Sequence, residues 1–358
     1  MQCELLNDRL AGILLGTAVG DALGLPAEGL SPQRQRRLFP GPWWHRLVLG
    51  RGMLSDDTEH TFLVAQSLLK HPDDAVAYQR CFARHLRWWL LGLPAGVGRA
   101  TARACFKLWL GFPPTRSGVF SAGNGPAMRS AIVGGYFHDD PKSLESFVHA
   151  STTITHTDPK ALIGALAIAR LAAWAVEHDA QATPNIEELE PYLMAGPAAD
   201  DPQWNQLVSQ IKKGLSAEMT VTQFAVELGL KNGVTGYIYH TAPVAIYAWL
   251  RHYGDFRGTV EAVLNCGGDT DTSGAIAGAL AGATTGPTGI PEPWLAGIRD
   301  WPLSVDVLRQ TAECLARQKE EKKTLGPVTY CRPGILPRNL FFLTIVLAHG
   351  FRRLLPPY

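Results

Sequence analysis

The sequence predicts an all-α fold, and three observations lead to that prediction. Apolar residues recur at spacings of three and four, as on one face of a helix, in the segments that begin at Leu10, Phe62 and Leu162. The segments Thr241–Leu250 and Gly274–Leu280 have the same helical pattern. Clear apolar–polar alternation, which is typical of strands, is absent, and prolines separate the helical segments at irregular intervals. We therefore expect a compact bundle of many helices.

The composition favours a soluble protein with a large core. The chain has 358 residues, of which 18% are charged, against about 25% in an average domain. The net charge of +1 provides no field that would attract nucleic acid, so nucleic acid is not an expected partner. The six cysteines form no CxxC pair, which argues against a zinc ribbon or a disulfide framework. The N-terminus lacks the basic start of a secretion signal, so we expect a cytoplasmic location.

The organisation along the chain predicts one catalytic domain, residues 1–325, with a C-terminal appendage, residues 326–358. The segment Asp179–Asp201 has the composition of an insertion. The longest apolar run of the appendage, Leu340–Ala348, has nine residues, whereas a spanning helix needs about 20. A core helix, a partner-facing helix and a membrane-surface helix all fit this run. We favour the first two, and we do not expect membrane contact.

Two stripes of glycine recur every four residues, at Gly12, Gly16, Gly20 and Gly24, and at Gly274, Gly278 and Gly282. Glycine inside a helix costs about 1 kcal/mol relative to alanine, and a spacing of four places these residues on one helical face. A use that offsets this cost is the close approach of another backbone. We predict that the two helices lie near each other beneath the active site.

The segment with the strongest chemical signal is Asn265–Leu280. Asp269 and Asp271 stand two apart among hydroxyl side chains, and hard cations take such oxygen ligands. A helix N-cap would explain only one of these residues. An EF-hand calcium loop fits the start of the segment but fails where its bidentate glutamate should stand, because Leu280 is there. A metal site is the interpretation that accounts for both Asp269 and Asp271.

A second acidic cluster follows Gly52. Ser55 is a candidate N-cap, and Asp56 and Asp57 fall in the first turn of a helix that runs to about Lys70. The helix dipole stabilises acids there by about 0.3–1 kcal/mol, so capping alone is an alternative. However, adjacent carboxylates repel each other unless a cation offsets them. Together, the two clusters predict a two-metal site.

Further polar residues stand beside helix ends. Asp21 falls on or beside an apolar stripe, where an unpaired acid is costly, so we expect it to cap or brace a neighbouring loop. Glu28 is a candidate base or outer ligand. The loops Gly96–Thr101 and Ser121–Arg129 carry glycines ahead of helices and suit polar ligands. Asp158 and Pro159 form a helix start, which leaves His156 as a candidate ligand contact.

Five motifs together make the sequence resemble the ADP-ribosylglycohydrolase family, of the dinitrogenase reductase-activating glycohydrolase type. They lie in the family's order between Leu10 and Ala283: GDALG with a downstream Glu, SDDT, GNGPAMR, THTDP and GGDTDTSGAIAGAL. The resemblance implies an all-α bundle with two Mg²⁺ ions, for which Mn²⁺ often substitutes, at the base of a cleft. It also implies that the chain's partners are an ADP-ribosylated protein and ADP-ribose.

The resemblance also implies roles for particular residues. It implies catalytic roles for Glu28, Asp57 and Asp269. The implied metal ligands are Ser55, Asp56, Asp57, Asp269, Asp271 and Thr272. The implied substrate contacts are Gly96, Val97, Gly98, Ser121, Gly123, Asn124, Gly125, Met128 and His156. Which acid acts as the general base stays open.

The reaction implied is hydrolysis of the bond between C1″ of the distal ribose and its acceptor. We favour ADP-ribosyl-arginine, with Glu59 as a candidate acid at the cleft mouth for the guanidinium. Alternatives are O-linked substrates, namely serine-linked ADP-ribose, O-acetyl-ADP-ribose and poly(ADP-ribose). A binding protein without turnover is a further alternative, and the carboxylates alone would also fit a metal-dependent phosphohydrolase.

Overall fold

The computed structural model describes residues 2–178, 180–181 and 183–356 and consists of helices joined by short loops. Within these residues there are nineteen α-helices and no β-strand, and the only ladder contacts are isolated bridges. The predicted all-α class is confirmed. The segment predicted as an insertion contains a helix of its own, Ile186–Leu193.

The helices are, in chain order, α1 (Gln2–Gly24), α2 (Pro32–Leu38), α3 (Asp56–Lys70), α4 (Ala75–Leu91), α5 (Arg99–Trp109), α6 (Pro114–Ser117), α7 (Gly125–Met128), α8 (Ala131–Tyr136), α9 (Pro141–Thr155), α10 (Pro159–Glu177), α11 (Ile186–Leu193), α12 (Pro202–Ser216), α13 (Val221–Glu227), α14 (Ile238–Arg251), α15 (Phe256–Leu264), α16 (Thr270–Thr285), α17 (Glu292–Gly297), α18 (Val305–Glu321) and α19 (Ile335–Arg353). Helix α1 packs against α16, α18 and α3, and α10 packs against α8, α14 and α16. These contacts place α1, α10 and α16 at the centre of the core.

The two glycine stripes form the contact between α1 and α16, which run antiparallel. A Cβ built on Gly12 would lie 2.0 Å from the carbonyl oxygen of Gly282, and one on Gly20 would lie 1.9 Å from that of Gly274. Even an alanine methyl has no room there, so glycine is required for backbone-to-backbone packing. The predicted helix pair is confirmed. At its end, the Thr270 hydroxyl donates to the Gly24 carbonyl at 2.8 Å.

Several helices begin with aspartate followed by proline. The Asp158 side chain accepts from the backbone N–H of Lys160 at 2.9 Å, with Pro159 at the first helical position. Asp140 and Asp201 cap α9 and α12 in the same way. Proline has no N–H to leave unsatisfied there, and the carboxylate accepts one of the free donors. The predicted helix start at Asp158 is therefore confirmed.

Three helical segments are long and apolar enough to cross a membrane, judged by length and composition alone. Glu4–Ala27 and Pro159–Glu177 are wholly or mostly buried inside the protein, whereas only 17% of the most apolar window of Arg332–Arg353 is buried. This corrects the sequence-based estimate for the C-terminal segment. The apolar run Leu340–Ala348 is the middle of a longer helix, because the flanking residues continue the same helix.

The C-terminal segment packs on the rest of the chain through one face of α19. Phe342 is buried in a small apolar cluster with Leu25, Leu47 and Met53. Asn339 donates to the carbonyl of Gly92 at 2.8 Å. The opposite face carries exposed apolar side chains: Leu336, Leu340, Leu343, Leu347, Phe351 and Leu354. Helix α19 is thus a docked amphipathic helix.

Candidate active-site cleft

Backbone hydrogen bonds join three loops at the start of α16. The N–H of Gly29 donates to the carbonyl of Gly268, and the N–H of Gly268 donates to the carbonyl of Leu30, both at 2.7 Å. On the other side, the N–H of Asp269 donates to Val234 at 2.8 Å. Gly268 has a φ of +81°, and a Cβ there would lie 1.9 Å from the Val234 carbonyl oxygen. The loop that carries Asp269 is therefore fixed by main-chain contacts.

A cavity of about 620 Å³ opens above these loops. Most of the residues predicted for the site line it: Glu28, Asp56, Gly96, Gly98, Ser121, Gly123, Asn124, Gly125, Met128, His156, Asp269, Asp271 and Thr272. The sequence motifs are far apart along the chain, so this convergence comes from the fold. The lining carries four carboxylates, those of Glu28, Asp56, Asp269 and Asp271, which suit a polar ligand.

Three of the carboxylates form a compact group. One oxygen of each of Glu28, Asp269 and Asp271 lies within 4.8 Å of the others. Burial raises the pKa of Asp271 well above its usual value, and the negative charges of Glu28 and Asp269 raise it further. The pKa of Glu28 is raised by loss of surrounding water and by Asp269, although Arg353 opposes the shift. Each acid makes it harder for the next to ionise, which a bound cation would reverse.

The second acidic cluster meets the first at the start of α3. The hydroxyl of Thr272 donates to Asp57 Oδ2 at 3.2 Å, and that of Ser55 approaches the same oxygen at 3.4 Å. Asp57 is buried, and its Oδ1 has no hydrogen-bond partner. Burial and the charge of neighbouring Asp56 raise its pKa well above the usual value. Ser55 and Asp57 thus lie beneath the cavity wall, while Asp56 faces the cavity.

The cap of α3 differs from the prediction. The Ser55 side chain occupies the N-cap position but accepts no capping hydrogen bond. Instead, Asp21 Oδ2 accepts from the backbone N–H of Ser55 at 2.9 Å and from the Thr58 hydroxyl at 2.5 Å. A carboxylate from α1 outcompetes the local serine because it reaches several donors at once. The bracing role expected for Asp21 is confirmed, and burial raises its pKa to about 6.

The loop before α7 is fastened on both sides. Asn124 Nδ2 donates to Asp269 Oδ2 at 2.6 Å. Arg129 is fully buried and donates to the carbonyls of Gly125 and Ser151 at 2.9 and 3.1 Å. His156 lines the cavity beside this loop, and a Cβ on Gly123 would lie 2.8 Å from its Nε2.

His156 is held as a neutral group in this wall. Burial and the charge of Arg129 lower its pKa to about 3. Its Nδ1 lies 2.8 Å from the Thr155 hydroxyl. One ring nitrogen is thereby engaged with protein, and the ring edge near Gly123 and Gly125 faces the cavity.

Two predicted residues are placed differently from the rest. Val97 is half-buried against the core between the cavity-lining Gly96 and Gly98, so its side chain is not in the lining. Glu59 is not at the cleft mouth. It lies on the far side of α3, where it accepts from Trp89 Nε1 at 2.6 Å and pairs with Arg338 at 3.0 Å. Trp89 from α4 and Arg338 from α19 hold the Glu59 side chain there, and it lines a different cavity from the one that Asp56 faces.

The sequence analysis missed two contributors to the site. The loop Asn232–Gly236 lines the cavity, and its Gly236 carbonyl accepts from the backbone N–H of Asn124 at 3.0 Å. Its glycines at 233 and 236 were a turn signal, but no acid or histidine marked it. Arg129 was visible within the GNGPAMR motif, but nothing in the sequence indicated that its guanidinium is buried.

The donor set fits a hard divalent cation. All the candidate donors are carboxylate or hydroxyl oxygens, which suit Mg²⁺ and Mn²⁺ rather than softer metals. The buried Asp57 Oδ1 has no hydrogen-bond partner, as expected for an atom whose partner is not a protein group. The 4.8 Å grouping of Glu28, Asp269 and Asp271 is close enough for shared coordination after small side-chain adjustments.

The fold and the site describe an all-helical protein with a carboxylate-lined cleft at the start of its central helices, an arrangement that suits metal-assisted hydrolysis. The comparisons with known proteins identify the family. The profile of the ADP-ribosylglycohydrolase family matches residues 2–324. The chain belongs to the ADP-ribosylglycohydrolase family. It is accordingly a hydrolase that removes ADP-ribose from modified targets.

Individual relatives agree with the family match. An uncharacterised protein of Archaeoglobus fulgidus is 33% identical over 82% of this chain and 93% of its own length. The ADP-ribosyl-[dinitrogen reductase] glycohydrolase of Rhodospirillum rubrum is 29% identical over 87% and 97%. ADP-ribosylhydrolase ARH3 of Gallus gallus is 27% identical over 80% and 88%. A solved ADP-ribosylglycohydrolase-related protein complex superposes with a TM-score of 0.65 at 28% identity, over 88% of this chain and 99% of that chain.

Proposed function

We propose that this enzyme hydrolyses the N-glycosidic bond of ADP-ribosyl-arginine in proteins and depends on Mg²⁺, or on Mn²⁺ in its place. The observation that carries the proposal is the grouping of Glu28, Asp269 and Asp271 within 4.8 Å, with Asp56 on the same cavity wall. The arginine linkage is favoured because the SDDT and GGDTDT motifs resemble those of the dinitrogenase reductase-activating type. Similarity to the Rhodospirillum rubrum enzyme, whose name specifies a modified protein as its target, supports a protein substrate.

Two cations would be held by two sets of residues, with Asp269, Asp271 and Thr272 at the start of α16 and Ser55, Asp56 and Asp57 at the start of α3. When bound, they would neutralise the carboxylates, orient the ribose hydroxyls and lower the pKa of a water molecule. Asp57 would act as a buried ligand, since its side chain is closed to substrate. Asn124 would keep Asp269 in one orientation through its hydrogen bond to Oδ2.

Glu28 is our candidate for moving the proton. Its side chain is exposed to the cavity beside the acids that would hold the cations, within reach of a water molecule and of the ribose. In the reaction the bond between C1″ and the arginine nitrogen breaks, and a water oxygen forms the new bond to C1″. Glu28 would take the proton released by that water and pass a proton to the departing guanidine nitrogen. Asp269 is too tightly engaged with Asn124 for this role.

The rest of ADP-ribose would lie along the glycine-rich wall. Gly98 precedes the eleven-residue α5, whose free N–H groups and dipole favour phosphate, and Arg99 lines the same cavity. No atom lies within 4 Å of a Cβ built on Gly96, so a ligand has room beside that backbone. Ser121, Gly123 and His156 form the opposite wall.

The test measures free ADP-ribose released from an arginine-ADP-ribosylated protein, with Mg²⁺ and with EDTA. We expect metal-dependent release that the Asp269→Asn/Asp271→Asn variant loses and that Asp306→Asn, an exposed acid on α18, retains. A serine-ADP-ribosylated protein is assayed in parallel. Release from that substrate alone would reject the arginine linkage in favour of the O-linked alternative. Release of AMP would instead indicate a phosphohydrolase, and ADP-ribose binding without release would indicate a binding protein.

A further inference from the structure

The C-terminal helix α19 follows the family match, which ends at residue 324, and yet it holds the chain on both sides of the α3 acids. Arg338 is the residue that makes these contacts, and its side chain is 7% exposed. One guanidinium nitrogen donates to the carbonyl of Leu54 at 2.5 Å, and another donates to Glu59 at 3.0 Å. Leu54 directly precedes the Ser55-Asp56-Asp57 segment, and Glu59 is two residues beyond it.

Asp300 completes this arrangement from a third segment. Its side chain is 1% exposed, and it accepts from Arg338 Nε at 2.9 Å and also from Nη2. Its Oδ2 accepts from the backbone N–H of Leu54 at 2.8 Å. The N–H and the carbonyl of Leu54 are therefore both held by one buried ion pair. The planar guanidinium group of Arg338 fixes the direction as well as the length of its hydrogen bonds. The arrangement therefore sets the path of the backbone into the Ser55–Asp57 turn.

The other end of the same helix reaches the loop that carries Glu28. Arg353 donates to the carbonyl of Glu28 at 2.6 Å and to that of Pro26 at 2.8 Å. The side chain of its neighbour Arg352 is exposed and, among the hydrogen bonds of the described residues, donates to the carbonyl of Pro356 alone. Helix α19 thus spans from one wall of the acidic site to the other.

We propose that α19 is part of the active-site framework, in which Arg338 positions the Ser55–Asp57 turn for metal binding and Arg353 positions the Glu28 turn for proton transfer. The proposal rests on the metal site proposed above. Neither arginine touches the cavity, so both are positioning residues. The alternative is that α19 contributes to stability alone, in which case metal affinity of the folded enzyme would not depend on these side chains.

The experiment measures Mn²⁺ binding to the full-length enzyme by the loss of the free-ion electron paramagnetic resonance signal, together with kcat, KM and the unfolding midpoint. Arg338→Lys keeps the positive charge but loses the planar set of guanidinium donors, and Arg338→Met loses the charge as well. We expect both to weaken Mn²⁺ binding by about tenfold or more, as loss of a ligand-orienting contact does, and to lower kcat more than they raise KM. Arg353→Met should lower kcat, while the matched control Arg352→Met should match the unmodified enzyme in every measurement.

The outcomes separate this proposal from the metal site itself. An unmodified enzyme that binds no Mn²⁺ would reject the metal site. An unmodified enzyme that binds Mn²⁺, beside a folded Arg338→Lys variant of equal affinity and equal kcat, would overturn the positioning role of Arg338. A lowered unfolding midpoint without a change in affinity would show that Arg338 has a structural role only. Should Arg338→Met not fold, Arg338→Lys still decides the question. Equal kcat for Arg353→Met and Arg352→Met would overturn the Arg353 half of the proposal.

Discussion

The contact between α1 and α16 allows a prediction in which stability and activity separate. In Gly20→Ala the new Cβ would lie 1.9 Å from the Gly274 carbonyl oxygen, against about 3.4 Å for ordinary contact, so the helices must part by about 1.5 Å. Overpacking of this kind costs about 1–3 kcal/mol, and the overlap is with backbone, so we take the upper end. Alanine returns about 1 kcal/mol of helix propensity. We expect a net loss of about 2 kcal/mol in the free energy of unfolding.

Gly12→Ala provides the matched comparison, because its Cβ would lie 2.0 Å from the Gly282 carbonyl oxygen. The overlap is nearly the same, but residue 12 lies about 12 Å along the helix from residue 20, away from the acids. Urea unfolding should show similar losses for both variants. Release of ADP-ribose, measured well below the unfolding transition, should fall by about tenfold or more for Gly20→Ala only, because its neighbours Asp21 and Asp271 move. Unfolding of Gly20→Ala at the unmodified midpoint would refute the backbone contact, and equal activities of the two variants would refute its link to the site.

Three further substitutions test the site walls and the core. Asn124→Ala should lower kcat by about tenfold with the unfolding midpoint retained, because Asp269 loses its orienting donor; unchanged kinetics would count against that contact. Gly123→Ala should raise KM more than it lowers kcat, because the methyl meets His156 Nε2 at 2.8 Å; an unchanged KM would remove this loop from substrate binding. Burial lowers the pKa of His85 to about 4, so its contribution to stability is present above about pH 6.5 and is lost as the pH falls toward 4. The free energy of unfolding by urea is measured at pH 8 and at pH 5. Between these pH values it should fall by about 2 kcal/mol less for His85→Gln than for the unmodified enzyme. An equal fall would contradict the lowered pKa of His85.

The sequence was informative wherever a residue type has one physical use at a fixed spacing. Glycine every four residues in a helix has little purpose except close packing, so the pairing of α1 with α16 could be predicted before any coordinates. Paired aspartates at two helix starts likewise require a common charge partner. The prediction that both clusters serve one site agrees with the hydrogen bond from Thr272 to Asp57.

The predictions for Ser55 and Glu59 were wrong for one reason. In each case a residue that is distant in the chain makes the contact that decides the position or the hydrogen bonds of the side chain. Ser55 has the right identity and position for an N-cap, but Asp21 from α1 takes its donors. Glu59 resembled a cleft acid, but Arg338 comes from 279 positions along the chain to pair with it on the other side of the helix. No local pattern encodes such contacts. The loop Asn232–Gly236 was missed for a related reason. It lines the cavity and accepts a hydrogen bond through its backbone, and it carries no acidic or histidine side chain that would mark it in the sequence.

The electrostatics of the site explain why backbone contacts hold several of the elements that carry its acids. Burial raises the pKa values of Asp56, Asp57 and Asp271 well above normal, and each of these acids is repelled further by its neighbours. Buried carboxylates that repel one another destabilise the site that they form unless a cation is bound. The elements that carry them must therefore be held by contacts outside the acidic cluster. The glycine contacts of α1 with α16 and the main-chain bonds at Gly268 are such contacts. A bound cation then adds stability to a site that is already assembled, because it binds the folded chain alone.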